Sequence, residues 1–239
     1  MAQSQSLSHL AGRVWTYPAD PREEYVQGCV AVIAHPAGSI AVDAGNCPGV
    51  AADVQRAIDR ADLPAVRTLV YTHHHWDHVW GACAWREIEI VGHAAGRPLL
   101  ASEALRPWSH AYLRAEVAAN PLLGPSFSAR ARAMPSWDGF AVLPPHRTFT
   151  DALDLPGGVR LRHVGGGHAV DSLVVEVPDS GVLLLGDSFY PPPWHLRRPD
   201  DDLDRALVRR LVSDRFDWYV DSHADPRHRT EFDALADGS

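Results

Sequence analysis

Seven consecutive residues, Thr72-His73-His74-His75-Trp76-Asp77-His78, carry four imidazoles and one carboxylate. Histidines packed this closely bury little apolar area, and each needs a hydrogen-bond partner once it leaves water. A fold gains little from them. Neutral imidazole nitrogens and carboxylate oxygens are, by contrast, what a borderline-soft dication such as zinc takes as ligands. The segment follows the apolar run Thr68-Leu69-Val70-Tyr71, so a strand delivers it to a loop. It reads as half of a metal site.

The other half lies at further strand ends. Asp43 closes the run Ser39-Ile40-Ala41-Val42, and His168 follows Gly165-Gly166-Gly167 just beyond a strand ending at Val164. Asp187 follows Val182-Leu183-Leu184-Leu185-Gly186, and His223 follows Val220-Asp221-Ser222. Ligands in α/β folds collect at strand ends, where loops converge. Alternate residues of an extended backbone project to one side, so His73 and His75 point together and, with His168, make a three-nitrogen site. Asp77, His78 and His223 make a second, and Asp187 has two oxygens with which to bridge both. His74 and Trp76 face away by the same alternation. Two ions about 3.5–4 Å apart can clamp a shared hydroxide and a substrate oxygen. Zinc lowers the pKa of bound water to about 7, which supplies a nucleophile at neutral pH.

The elements that must position these groups alternate along the chain. Strands are expected at residues 13–17, 25–34 and 39–43, and a helix from about Val50 to Ala61, where Val50, Val54, Ala57, Ile58 and Ala61 fall at helical spacing. Further strands are expected at 67–71 and 87–91. Residues 94–145 differ. They hold helical patches at 99–105 and 107–118, with Pro107 suited to a first helical position. They also hold the breakers Pro121, Gly124, Pro125 and Pro135, and many aromatics. They read as a helical insertion over the site, in the place of a lid. Strands return at 159–164, 172–177 and 182–185, the last two joined by the turn Pro178-Asp179-Ser180-Gly181. A helix through Leu203–Leu211, a strand at 218–220 and a last helix after Pro226 complete an α/β pattern.

Bulk properties bound the reading. The 239 residues are 46% hydrophobic, enough for one domain spanning 1–239. A net charge of -8 with scattered basic residues argues against a nucleic-acid partner. Cys29, Cys47 and Cys83 show no CxxC spacing, so neither a disulfide framework nor a thiolate zinc site is expected. The segment Met1–Leu7 has no leader pattern and no run approaches a membrane span, which points to the cytoplasm.

The pattern His73-x-His75-x-Asp77-His78, followed in order by His168, Asp187 and His223, resembles the metallo-β-lactamase superfamily of hydrolases. The resemblance runs from about Tyr25 to His223. It implies a four-layer αββα sandwich, two mainly antiparallel sheets back to back with helices outside, and a dinuclear site along one edge. Asp43 matches the family's early aspartate, which supports the ligands from behind. The sequence departs from the family where two glycines often follow Asp-His, here Gly81 and Ala82, and where glycines commonly flank the last histidine, here Ser222 and Ala224. True β-lactamases of the superfamily place cysteine or serine at the position of Asp187, so the resemblance points to its wider hydrolase branch. Only 16 residues follow His223, which disfavours the glutathione-binding region of glyoxalase II enzymes.

The expected activity is hydrolysis of an ester, thioester, lactone or amide in a small-molecule substrate by a dinuclear-metal-bound hydroxide. Two Zn2+ ions are expected, with iron or manganese compatible with the donors. Asp77 is expected to position the nucleophile and shuttle protons as well as bind metal. Tyr190, in the proline-stiffened loop Ser188–His195, is offered as a donor to a developing oxyanion. Two other classes fit the residues less well: a mononuclear iron dioxygenase acting on sulfur compounds, and a phosphodiesterase or nuclease. Oligomeric state is not legible.

Overall fold

A computed structural model describes residues 5–237; the start of the segment read for a leader, Met1–Ser4, lies outside them. Two sheets organise the chain. The first takes β1 (Ser8–Ala11), β2 (Val14–Tyr17), β3 (Val30–Ile33) and β4 (Ser39–Val42) in antiparallel succession. The helix α1 (Pro48–Arg60) then crosses to β5 (Val66–Val70), which runs parallel to β4. The Sγ of Cys47 caps α1 by accepting from the Val50 N–H, and Ala51, Val54, Ala57 and Ile58 are its buried face. After the short helix α2 (Trp76–Val79) comes β6 (Glu89–His93), parallel to β5. Three helices, α3 (Gly96–Ala104), α4 (His110–Ala119) and α5 (Gly124–Ala133), separate β6 from β7 (Arg147–Phe149), its parallel neighbour.

The second sheet is built from β8 (Ala152–Leu155), β9 (Val159–His163), β10 (Leu173–Val177) and β11 (Val182–Gly186), each antiparallel to the last. The helix α6 (Arg205–Leu211) leads to β12 (Trp218–Asp221), parallel to β11, and β13 (Arg227–His228) pairs antiparallel with β12 before α7 (Arg229–Asp237). The first sheet has three parallel and three antiparallel pairings, so it is mixed rather than mainly antiparallel.

Period-two alternation divides the side chains into three apolar layers. Ala31, Ile33, Val42 and Val70 of the first sheet meet Leu173, Val175, Leu184 and Val220 of the second. Val30, Val32, Ala41 and Leu69 face α1 and α5 instead. Leu183, Leu185 and Tyr219 face α6 and α7. The architecture is therefore helix, sheet, sheet, helix. Because β4 and β5 are parallel, as are β11 and β12, their C-terminal ends open on common edges, and a backbone bond from Leu173 N to Thr72 O (2.9 Å) joins the sheets there.

Several elements differ from expectation. The strand expected at 25–34 starts only at Val30, because Glu23–Tyr25 form a single helical turn and Val26 takes a left-handed φ of 47°. Glu87, at φ 55°, likewise delays β6. Pro107 lies outside α4, whose cap is Ser109 accepting from Tyr112 N. Gly124 and Pro125 do not break a helix; they begin α5, where a proline's missing N–H costs nothing. The insertion is fastened by its aromatics: Trp108, Trp137 and Phe140 lie 4.8, 5.6 and 5.0 Å from the Trp80 ring.

Candidate metal centre

Asp43 stands at the tip of β4 with a φ of 65°, a left-handed conformation that short polar side chains tolerate best. The turn aims its buried carboxylate back across the end of β5. Oδ1 accepts from the Thr72 N–H at 2.8 Å, and Oδ2 accepts from the Thr72 hydroxyl at 2.9 Å. His78 Nδ1–H donates to the same Oδ2 at 2.8 Å. Thr72 Oγ1, having given its proton to Asp43, accepts from His73 Nδ1 at 3.1 Å. One carboxylate thus fixes the ring orientation and tautomer of two histidines, one directly and one through Thr72.

His73, His75 and His168 converge. His73 Nε2 lies 2.9 Å from His75 Nδ1 and 3.2 Å from His168 Nε2, and His75 Nδ1 lies 2.9 Å from His168 Nε2. His168 reaches this point from the glycine-rich connection between β9 and β10, where its Nδ1–H donates to Pro191 O at 2.9 Å. With the Nδ1 protons of His73 and His168 committed elsewhere, their two Nε2 lone pairs face each other. On neutral rings the one proton available between them, on His75 Nδ1, must be shared by both lone pairs, whereas a cation between the three nitrogens would satisfy all three. A tetrahedral zinc with bonds of about 2.0–2.1 Å spaces its nitrogens about 3.3 Å apart, close to the separations here.

Asp77, His78, Asp187 and His223 form the second group. Asp77 and His78 lie on α2, Asp187 follows the last residue of β11, and His223 follows β12 by two residues. His78 Nε2 is 3.1 Å from Asp77 Oδ2 and 3.5 Å from Asp187 Oδ2. His223 Nε2 is 3.4 and 3.2 Å from the same two oxygens. Asp187 Oδ2 also lies 3.4 Å from His168 Nε2, so one atom touches both groups. His78 Nε2 and Asp187 Oδ1 are buried without a hydrogen-bond partner. Orphaned buried atoms of this kind are rare in folded proteins and, amid four converging donors, fit a bound cation.

The two groups differ electrostatically. Burial, followed by the surrounding rings, holds His73 and His75 well below the usual imidazole range, and burial lowers His168 too. All three present neutral nitrogens. In the second group burial opposes every charge, but mutual attraction wins. Asp77, Asp187 and Asp43 hold His78 well above its usual range, and Asp187 with Asp77 lifts His223 to about 10. Asp77 and Asp187 are correspondingly held low, each by His78 and His223.

The seven residues singled out as ligands in the sequence are thus all in one cluster at one edge of the two sheets. His74 and Trp76 do turn away: His74 Nδ1 pairs with Asp171 Oδ1 at 2.7 Å, and Trp76 stacks edge-on against Trp80 at 5.3 Å. Tyr190, offered as an oxyanion donor, already has a partner here. Its hydroxyl donates to Asp221 Oδ1 at 2.9 Å, and burial followed by the Asp221 charge holds its proton firmly. In this arrangement its O–H proton is spent on Asp221. Asp221 was missed in the sequence, as were Thr72 and Asp171. The buried Asp221 also accepts from the backbone N–H of His223 and Ala224, both at 3.0 Å, and pairs with Arg227. It therefore ties the loop carrying His223 to the loop that follows Asp187.

A family model described as the metallo-beta-lactamase superfamily matches residues 26–229. This chain belongs to that superfamily. Among solved structures it is similar to the metallo-beta-lactamase FIM-1 from Pseudomonas aeruginosa in a mono-zinc form, with a TM-score of 0.64 and 17% identity over 98% of this chain and 95% of that one. It is also similar to metallo beta lactamases from Hirschia baltica (0.64, 18%, 97% and 96%) and Erythrobacter litoralis (0.63, 17%, 100% and 99%). At these identities the likeness shows the fold. No curated protein matches the sequence. Superfamily membership and the clustered donors together support a metal-dependent hydrolase. No helix among the described residues is long and apolar enough to cross a membrane.

Proposed function

We propose that the protein hydrolyses an ester, thioester, lactone or amide bond in a small-molecule substrate, with two metal ions held by His73, His75 and His168 on one side and Asp77, His78 and His223 on the other, bridged by Asp187. The observation that carries this reading is the shared oxygen: Asp187 Oδ2 lies 3.2 Å from His223 Nε2 and 3.4 Å from His168 Nε2. The donor set is nitrogen and oxygen throughout, which suits zinc and also accepts iron or manganese. Cations bound there would supply Lewis acidity and an activated water at neutral pH.

The residues divide the remaining work. Asp77 places Oδ2 between His78 and His223, where it can take a proton from a water held in the cluster and pass it to the leaving group. His223, with 29% of its side chain exposed, stands at the mouth. Asp43 and Thr72 hold the rings of His78 and His73 at fixed tautomers. Asp221 and Tyr190 hold the His223 loop against the loop after Asp187. A mononuclear iron enzyme would leave the second group without purpose, and the completeness of that group weighs against it.

The test is a panel of ester, thioester, lactone, β-lactam and phosphodiester substrates run on metal-quantified protein. Carbonyl substrates should turn over, and His73→Ala or His168→Ala should lose metal and activity together. Full activity in metal-free His73→Ala protein, or cleavage of a phosphodiester alone, would reject the assignment.

A further inference from the structure

The helix α5 contacts two segments of the chain that lead to the donor cluster. It packs against both Glu23–Tyr25 and Trp194–Leu196. The first belongs to the connection that reaches Cys29, whose N–H donates to Ser222 O at 2.6 Å beside His223. The second belongs to the loop that follows Asp187. Beneath α5 is Trp76, the residue between His75 and Asp77. From α5 a single charged side chain, Arg130, enters this space. Its guanidinium carbon lies 4.7 Å from the centre of the Phe127 ring, 5.2 Å from Trp76, 5.4 Å from Trp80 and 5.9 Å from Trp108.

The guanidinium is poorly satisfied. Nη1 donates to Ser126 Oγ at 2.9 Å, but Nε is shut off from solvent with no partner. No ion pair to Arg130 forms among the described residues, and the carboxylate of Glu103 is taken by Arg106 at 3.2 Å. Aromatic rings attract the charge but offer no lone pairs to a fork of five N–H donors. Partly burying such a group without a carboxylate is costly, and methionine or leucine would fill the same space without that cost. Packing alone therefore does not account for an arginine here. Burial pushes the guanidinium down to about 10, opposed by Glu103 and then Asp77, so it is charged at neutral pH.

We propose that Arg130 receives a carboxylate carried by the substrate, so that this hydrolase takes acidic carbonyl compounds in preference to neutral ones of the same shape. Two parallel N–H bonds to a carboxylate would complete the fork, and the rings of Trp76 and Phe127 would shield the pair from water. The inference rests on the hydrolase reading for its site but not for its test.

The test uses full-length, metal-loaded protein. Succinate is titrated against wild type, Arg130→Met and Arg130→Lys while tryptophan emission is followed, because three tryptophans surround the guanidinium. Separately, kcat/KM is compared for monophenyl succinate and phenyl butyrate, with thermal melts and near-ultraviolet circular dichroism reporting the folding of each variant. Wild type should show a saturable succinate response that Arg130→Met lacks and Arg130→Lys retains in weakened form. The ratio of acidic to neutral ester kcat/KM should fall roughly ten- to hundredfold in Arg130→Met, the scale of hydrogen bonds to a charged group. A succinate response that persists in folded Arg130→Met would report coordination elsewhere and overturn the proposal. So would an unchanged ratio. Hydrolysis of both esters without any effect of Arg130 sinks this inference and leaves the hydrolase; a saturable response at Arg130 with no hydrolysis does the reverse.

Discussion

At the scale of single residues, one carboxylate oxygen outside the ligand set orients a ring in each group. Asp43 Oδ2 receives both the Thr72 hydroxyl and His78 Nδ1–H, so it sets one ring in each metal group. Asp43→Asn keeps the side chain best able to hold a φ of 65°, so the backbone should survive. The amide has one oxygen and no charge, and it cannot serve all three donors. Metal affinity should drop about 10–100-fold, measured by competition with a chromogenic chelator; an unchanged affinity would show that Asp43 only shapes the turn. The electrostatic contrast between the groups gives a second prediction. His78 and His223 are raised, and His223 reaches about 10, so both carry protons at pH 7 in metal-free protein. A cation must displace those protons, so its affinity for this group rises with pH. The lowered rings of His73, His75 and His168 have none to give. Calorimetric zinc titrations in buffers of different ionisation enthalpy should find about two protons released with one metal equivalent and close to none with the other. Equal release would contradict the division.

At the scale of elements, the ligand helix α2 and the turn that follows it are pressed against β4. A Cβ on Gly81 would meet the carbonyl oxygen of Ala44 at 2.0 Å, and Gly81 N donates to Gly45 O at 3.0 Å. Neither backbone can retreat without moving Asp43 or His78. Gly81→Ala should cost about 2–3 kcal/mol in denaturant unfolding and weaken metal binding with it. Gly124→Ala, at the start of α5 with its nearest neighbour 3.9 Å away, should be neutral or stabilising by up to about 1 kcal/mol. A Gly81 variant as stable as its parent would remove the argument for close approach. This is also where the sequence was least legible. The ligands announced themselves because histidine and aspartate cluster after apolar runs, a local signal. Thr72, Asp171 and Asp221 gave none, since threonine and aspartate are ordinary at strand ends and their partners lie far along the chain. Pro125 misled because proline both breaks helices and begins them. Of the strands that escaped, β7 and β13 have three and two residues, too few to show a period, and the short runs of β1 and β8 are interrupted by His9 and Asp154.

At the scale of the whole molecule, the ligands come from both sheets: His73, His75, Asp77 and His78 from the first, and His168, Asp187 and His223 from the second. Ions bound among them would fasten one sheet to the other at that edge. Metal at one hundred times its dissociation constant stabilises by about 2.7 kcal/mol per site, or roughly 5–10 °C in melting temperature for a chain of this size. Chelation should lower the melting temperature by at least that amount and zinc should restore it. A melt insensitive to chelator would mean that the sheets do not depend on the site.

The fastening of the insertion has a consequence for how such a protein can change. Trp80 sits two residues beyond His78, the last donor on α2, and its ring is the hub on which Trp108, Trp137 and Phe140 converge. Residues 94–145 are therefore not an interchangeable cassette. Recombination that replaced them would strand an indole in water beside the ligands, and a graft from a relative would need its own hub at position 80. Change within this segment is more accessible by point substitution than by exchange of the whole.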